Sequence, residues 1–142
     1  MANKAKGKTI ASIDDLEFDD HNANKGTAKG QTLVGQSIEE YGAGRSIVAD
    51  KNGKVIGGNK TLRAAREAGL DVEVIQTAGD KLIVHQRADL SLDEGDKARM
   101  LAYADNRSSE LGLDWDADVL TADMDAGLDL GGMFNEKELE AI

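Results

Sequence analysis

The 142-residue chain contains no cysteine and no proline, and aromatic residues make up only 4% of it. The absence of cysteine excludes disulfides, thiolate zinc sites and cysteine nucleophiles, although it leaves the redox compartment undecided. Without proline, the 16 glycines are expected to form the turns. The 40% share of hydrophobic residues is typical of a globular protein with a core of its own.

Long apolar runs are also missing, since none approaches the roughly 18 residues that a membrane span needs. We therefore expect no membrane association. The first residues carry lysines without the apolar segment of a secretory signal, so residues 1–8 are predicted to form a flexible tail and the location to be cytoplasmic. The length favours one domain, predicted over residues 9–110, followed by an acidic extension of short helices over residues 111–142.

Basic residues are outnumbered, and the formal net charge is −10. This argues against a surface that coats DNA, because nucleic-acid affinity depends largely on Lys and Arg neutralising phosphates. The charge is uneven, however: residues 45–66 hold six bases and one acid, whereas residues 89–142 hold fifteen acids and four bases. We expect any DNA to contact the basic region at 45–66 and any protein partner to contact the acidic C-terminal region.

Hydrophobic periodicity and turn signals predict an α+β fold with hairpins rather than a doubly wound sheet. Gly42 and Gly69 are well placed to end helices, and the Asp50–Gly53 turn between two β-branched runs is a strong hairpin signal. The predicted elements are a strand within 9–18, a helix over 31–41, a hairpin over 46–57, a helix over 59–68, a second hairpin from 72–77 and 81–87, and a helix over about 92–107.

The turn Gly57-Gly58-Asn59-Lys60-Thr61 lies where a strand is predicted to run into a helix. Such a turn presents unpaired backbone N–H groups and the positive end of the helix dipole, which together bind phosphates. Lys60, Thr61 and Arg63 add positive charge and a hydroxyl donor. The spacing is not that of a Walker A motif. The alternative is a plain helix entry in which Asn59 serves as the N-cap.

The run Ser37-Ile-Glu-Glu-Tyr-Gly, followed by residues 46–70, resembles the core of the ParB/sulfiredoxin superfamily. The shared order is a helix, a glycine, a hairpin, a G-x-x-R-x-x-A-A box and a second helix. The resemblance covers residues 10–110 and is greatest to stand-alone ParB-like domains of phages and mobile elements. It implies a small mixed sheet with hairpins and packed helices, and a nucleoside triphosphate, CTP or ATP, as the ligand.

The resemblance also implies particular site residues. The phosphate box falls on residues 57–65, and Gly44 with Arg45 matches the segment that approaches the base or sugar. A second phosphate- and metal-contacting motif resembles Asp105-Asn106-Arg107. A carboxylate beside an amide oxygen is suited to Mg²⁺, the cofactor we expect. The alternative for Asp105 and Asn106 is helix-end capping with a salt bridge to Arg107.

Departures from the family pattern restrict the activities that the resemblance implies. The sulfiredoxin cysteine aligns near Asn59, so sulfinic-acid reduction is excluded. The helix-turn-helix and dimer domain of the partition proteins are missing, so we do not expect chromosome segregation by this chain alone. His21 is a candidate general base near neutral pH, although most lone surface histidines have no catalytic role.

Two classes of function stay open. One is a nucleotide-binding enzyme: an NTP hydrolase, a small-molecule kinase or phosphotransferase, or a ParB-like nuclease acting on phage or mobile-element DNA. The other is a non-catalytic, nucleotide-gated adaptor for DNA or for a DNA-modifying partner. They differ in the need for a general base, for which the sequence offers His21, Glu39 and Glu40 without a compelling spacing. Binding is therefore the firmer prediction.

Overall fold

The computed structural model describes residues 7–142, so most of the predicted tail lies outside the described residues. This part of the chain combines five α-helices with one two-stranded antiparallel sheet, which confirms a mixed α and β composition. In chain order the elements are a 3-10 turn (Ile13–Asp15), α1 (Ala28–Tyr41), β1 (Val48–Ala49), β2 (Val55–Gly57), α2 (Asn59–Ala68), α3 (Lys97–Leu111), α4 (Ala117–Asp125) and α5 (Glu136–Ala141).

Helix α1 begins and ends at residues whose chemistry explains both boundaries. Thr27 is the N-cap, and its hydroxyl accepts a hydrogen bond from the Gly30 N–H at 3.0 Å. Gly42 ends the helix with φ 79°, a left-handed conformation that favours glycine. The predicted end is confirmed, and the start lies three residues before the predicted one.

The first predicted hairpin is present. Strands β1 and β2 pair antiparallel, with Val48 opposite Gly57 and Ala49 opposite Val55. The turn is closed by the Asp50 carboxylate, which accepts hydrogen bonds from the backbone N–H groups of Asn52 and Lys54, both at 2.9 Å. This side-chain closure is the device that the Asp-x-Asn-Gly pattern predicts.

Three predicted strands are absent from the described part of the chain. Residues 9–18 contain the 3-10 turn and no strand, and only Glu17 makes a single parallel bridge, to Lys54. Residues 72–77 and 81–87 form no strand, so the sheet of the described chain is antiparallel and two-stranded rather than mixed. The reason is that β-propensity reflects packing on a neighbouring surface, and the side chains of the second segment are mostly exposed.

Helix α3 begins at Lys97, five residues after the predicted start. The Ser91 hydroxyl accepts a hydrogen bond from the Asp93 N–H at 3.1 Å, so it closes a short turn instead of capping a helix. Gly95 then adopts φ 67°, which interrupts any helix that begins earlier.

Helix α2 lies between two small apolar clusters and joins them. Leu62, which is fully buried, packs with Leu16 and Val55 on one side. Ala64 and Ala65 pack with Ile38 of α1 on the other side. Helix α1 also contacts α3, so it is the central element of the helical part.

The short C-terminal helices predicted for residues 111–142 are present as α4 and α5. Leu120 of α4 is buried, and the rings of Trp115 and Phe134 meet edge to face with their centroids 5.2 Å apart. Among residues 7–142, no helix has the length and apolar character required to cross a membrane.

Candidate functional site

The entry to α2 is a left-handed turn at Gly58, which has φ 109°. A Cβ at this position would lie 3.0 Å from Ile47 Cγ1, so both the conformation and the space favour glycine. Gly58 is itself the N-cap, and no side chain caps the helix. The first backbone N–H groups of α2 are therefore left without a capping side chain, as an anion site requires.

Asn59 has a different role from the N-cap role considered above. Its side-chain oxygen accepts a hydrogen bond from the Asp19 N–H at 2.9 Å. This bond fixes the start of the loop at residues 19–27 to the start of α2. The loop and the helix line one groove together with α1.

The groove has a volume of about 790 Å³. Three predicted site residues on α2 line it: Asn59, Lys60 and Arg63. The remaining lining residues come from the loop, from α1 and from the next turn of α2: Phe18, Asp19, Asp20, Asn22, Asn24, Lys25, Gly26, Thr27, Ala28, Gln31, Thr32, Gly35, Gln36, Glu39 and Glu67.

The charges in the groove are mixed. Four acidic side chains and three basic ones line it, so the groove does not favour an anion by net charge alone. The acids are Asp19, Asp20, Glu39 and Glu67, and the bases are Lys25, Lys60 and Arg63. Any preference for an anion must come from where the bases lie, which is mainly beside the start of α2.

The three bases differ in how far other groups of the chain engage them. The ammonium of Lys25 lies 3.6 Å from a carboxylate oxygen of Asp114. Arg63 forms no ion pair within residues 7–142, and its guanidinium lies over the Phe18 ring, 5.6 Å from the centroid. Arg63 is thus the groove cation with the most freedom to meet a ligand.

Lys60 is the most constrained of these bases. Its ammonium donates to the Gly112 carbonyl at 2.5 Å, beyond the last residue of α3. Burial lowers the pKa of Lys60 from its usual value. Gln31 also donates its side-chain N–H to the Lys60 carbonyl at 3.0 Å. Lys60 therefore joins α1, α2 and the end of α3, which is a structural role that sequence reasoning missed.

The C-terminal extension holds the loop that lines the groove. The Thr27 hydroxyl donates to the Leu111 carbonyl at 2.6 Å, and the Lys25 N–H donates to the Asp114 carbonyl at 3.0 Å. The Asp116 N–H donates to the Ala23 carbonyl at 2.7 Å. This part of the site was also missed; the available signal was the recurrence of asparagines near Thr27, typical of a loop closed by side-chain hydrogen bonds.

His21 lies beside the groove but is not among the residues that line it. Its Nε2 is 2.7 Å from a carboxylate oxygen of Asp123 on α4, and this hydrogen bond raises the pKa of His21. The imidazole therefore joins the loop to α4. Its predicted role as a general base stays a prediction.

A second set of predicted site residues lies outside the groove lining. Arg45 hydrogen-bonds the Asp105 carboxylate and the Ser109 hydroxyl, while Arg107 pairs with Glu110 at 2.9 Å. The structure thus brings Asn59, Lys60 and Arg63 to one groove and joins Arg45 to Asp105 elsewhere. The other predicted residues, Gly44, Gly57, Gly58, Thr61 and Asn106, are absent from the groove lining as well.

The predicted Mg²⁺ ligands make a weak donor set by themselves. The Asp105 carboxylate is already engaged by Arg45, and Asn106 is an exposed amide. Within the described part of the chain, no three residues among His, Cys, Asp and Glu form a group able to hold a metal ion. A protein cage for the ion is therefore not formed here.

No protein-family model, curated protein or solved structure matches this chain. The resemblance to the ParB/sulfiredoxin superfamily accordingly stays a prediction from the sequence. The site has to be interpreted from its own geometry.

Proposed function

We propose that the chain binds a nucleoside triphosphate, CTP or ATP, in the groove, with its phosphates at the start of α2. The observation that carries this proposal is that α2 begins without a capping side chain and that its first residues, Asn59 and Lys60, line the groove together with Arg63. Backbone N–H groups at a helix start and a guanidinium without an ion-pair partner are both suited to phosphate oxygens.

The size of the groove supports a ligand of this class. Small-molecule sites usually have volumes of roughly 300–1,000 Å³, and this groove has about 790 Å³. Polar side chains along the loop and α1, such as Asn22, Asn24 and Gln31, offer donors and acceptors to a base or a sugar.

The acidic side chains of the groove would repel a free anion, so we propose that the nucleotide binds together with Mg²⁺. Mg²⁺ usually retains several waters and is held by substrate phosphates with one or two carboxylates. An ion that enters with the triphosphate would offset repulsion from Asp19, Asp20, Glu39 and Glu67. Asp105 and Asn106 stay the ligands that the sequence predicts, but they lie outside the groove lining, so this role requires Asp105 to leave Arg45 and reach the bound triphosphate.

We propose binding without turnover, a nucleotide-gated adaptor, as the second candidate. The observation in its favour is that His21 is bonded to Asp123 rather than directed into the groove lining. Of the other bases considered, Glu39 lines the groove and Glu40 does not. Glu39 is therefore the residue to test if the chain hydrolyses NTP or cleaves DNA.

The proposed context is DNA metabolism in a phage or a mobile element, which depends on the family resemblance. Within the basic region at 45–66, Lys51 and Lys54 are exposed at the hairpin turn. Lys51 is the residue we expect DNA to meet first, whereas Arg45, Lys54 and Arg66 already contact other groups of the chain. The acidic extension is the proposed contact for a protein partner.

Calorimetry with CTP, ATP, GTP and ADP tests the site. Arg63→Ala is expected to weaken nucleotide binding roughly ten- to hundredfold, because one charge-assisted hydrogen bond is lost. The matched control is Arg99→Ala, which removes an exposed arginine of α3 outside the groove lining. Equal affinities for Arg63→Ala and the unmodified chain, or no heat with any of the four nucleotides, would refute the assignment.

Metal dependence and turnover are measured independently on the same samples. Mg²⁺ should raise the affinity, and Asp105→Ala should remove that increase; an unchanged increase would place the ion at other residues. Phosphate release and DNA cleavage are measured in parallel, with Arg63→Ala as the contamination control. Binding without either reaction favours the adaptor.

A further inference from the structure

The segment between α2 and α3 exposes large apolar side chains along two arms that form neither helix nor strand. The first arm is residues 71–77, of which Val72 packs against the core cluster of Leu16, Val55 and Leu62. The second arm is residues 81–86. Leu82 is 90% exposed and Val84 is 73% exposed. Single exposed apolar residues need no explanation, but five large ones in two adjacent arms do. The others are Val74, Ile75 and Ile83.

The backbone of both arms is equally without partners. Among the described residues, no backbone N–H or carbonyl group from residue 71 to residue 86 takes part in a backbone–backbone hydrogen bond. A backbone with unpaired N–H and C=O groups is a template for pairing with another chain. The β-branched and aliphatic composition of the arms is the composition that such pairing favours.

The charges of the two arms indicate which chain can pair with them. The first arm carries Asp71 and Glu73 and no base, whereas the second arm carries Lys81 and no acid. We propose that two copies of this chain associate through these arms, with the first arm of each copy pairing parallel to the second arm of the other, so that Asp71 lies opposite Lys81. This contact is reciprocal, as a two-fold symmetric interface requires.

The short connection between the arms places this pairing between two copies, because parallel strands within one chain need a connection of a dozen or more residues. Residues 78–80 join the arms, and Gly79 adopts φ 81°. The Gly79 N–H donates to the Thr77 hydroxyl at 3.2 Å, so the turn is closed on itself while the arms stay unpaired. After the second arm, Arg87 is fixed by bonds to Asp89 and to the Ala43 carbonyl. The end of the second arm is therefore held on its own chain, and both arms are available to a second copy.

Sedimentation equilibrium of the full chain tests the proposal. We expect a mass that approaches twice the 15.1 kDa of one chain as the concentration rises. Placing a charge in the middle of each arm, with Ile75→Asp and Val84→Asp together, should return the mass to one chain. Met133→Asp is the matched control, since Met133 is 76% exposed but lies outside the arms, and it should leave the association unchanged.

Charge inversion gives a second, independent test. Asp71→Lys with Glu73→Lys makes both arms basic, and Lys81→Glu makes both arms acidic. Each variant alone is expected to raise the dimer dissociation constant roughly tenfold, because cross-strand like charges are destabilising. Mixing the two variants should restore the affinity, because every arm then faces an arm of opposite charge.

Three results would overturn the proposal. One is a sedimentation mass equal to one chain at all concentrations, whether the arms then stay exposed or pair with each other as a hairpin. Another is an association that persists in Ile75→Asp/Val84→Asp, which would place the interface on another surface. The last is a mixture of charge variants that associates no better than each variant alone. None of these results depends on nucleotide, so failure here leaves the proposed nucleotide site untouched.

Discussion

Two irregular segments of this protein differ sharply in how their backbones are satisfied. The groove loop at residues 19–27 is polar and has little regular structure, yet Ala23, Asn24 and Lys25 all bond to the C-terminal extension. The arms at residues 71–86 are apolar and rich in β-branched residues, yet their backbone groups form no backbone–backbone bond within the described chain. Order in these segments therefore follows bonds to a distant part of the chain rather than strand propensity.

The largest expected effect is the difference in unfolding free energy between truncating a buried leucine of α2 and truncating an exposed leucine of the second arm. Leu62→Ala should lower the free energy of unfolding by about 2–5 kcal/mol, because Leu62 is fully buried against Leu16 and Val55. Leu82→Ala, in the second arm, should change it by less than about 0.5 kcal/mol at concentrations where the chain is monomeric. Urea denaturation measures both variants.

A comparable cost for both leucines would show that the arms are buried in the monomer. That result would remove the contrast between the regions. It would also remove the basis for an interface at the arms, because Leu82 would then have a partner inside its own chain.

The sequence correctly predicted the parts of the fold that depend on only a few neighbouring residues. The end of α1 needed only Gly42, and the first hairpin needed only the Asp50–Gly53 turn. The glycine entry to α2 was likewise predictable, since the conformation at Gly58 excludes most other residues. Three predicted residues, Asn59, Lys60 and Arg63, meet in one groove because they share this helix start.

The missed features depend on contacts between distant residues. The second hairpin has a strong strand sequence, but nothing in residues 71–87 specifies the surface on which a strand would pack. The bond from Lys60 to Gly112 joins positions 52 residues apart, and the bond from Thr27 to Leu111 joins positions 84 apart. Neither the spacing nor the composition of the sequence indicates such pairs, so the groove wall could not be predicted.

A smaller effect is expected where α1 meets the end of α3. A Cβ at Gly30 would lie 2.6 Å from the Gly112 Cα, a contact that forces the backbones apart. Gly30→Ala should therefore destabilise the fold by about 1–3 kcal/mol and loosen the groove wall. Gly35→Ala, in the same helix but with nothing within 4 Å, should stabilise it by about 0.5–1 kcal/mol.

Urea denaturation of the two glycine variants separates packing from helix propensity. The two substitutions are expected to change the free energy of unfolding in opposite directions. If both substitutions stabilise the chain, the close approach of Gly30 to Gly112 does not hold in solution, and the C-terminal extension is not what fixes the groove wall.

The smallest effect is a pH dependence that joins the groove loop to α4. The hydrogen bond from Asp123 raises the pKa of His21 above 6.5. Its contribution to stability is therefore fully present below pH 6.5 and is lost as the pH rises through the higher folded pKa. His21→Gln should remove this dependence, whereas His85→Gln, in the second arm, should retain it. Unfolding free energies at several pH values compare the variants, and an identical pH profile for His21→Gln and the unmodified chain would show that the loop is held by its backbone bonds alone.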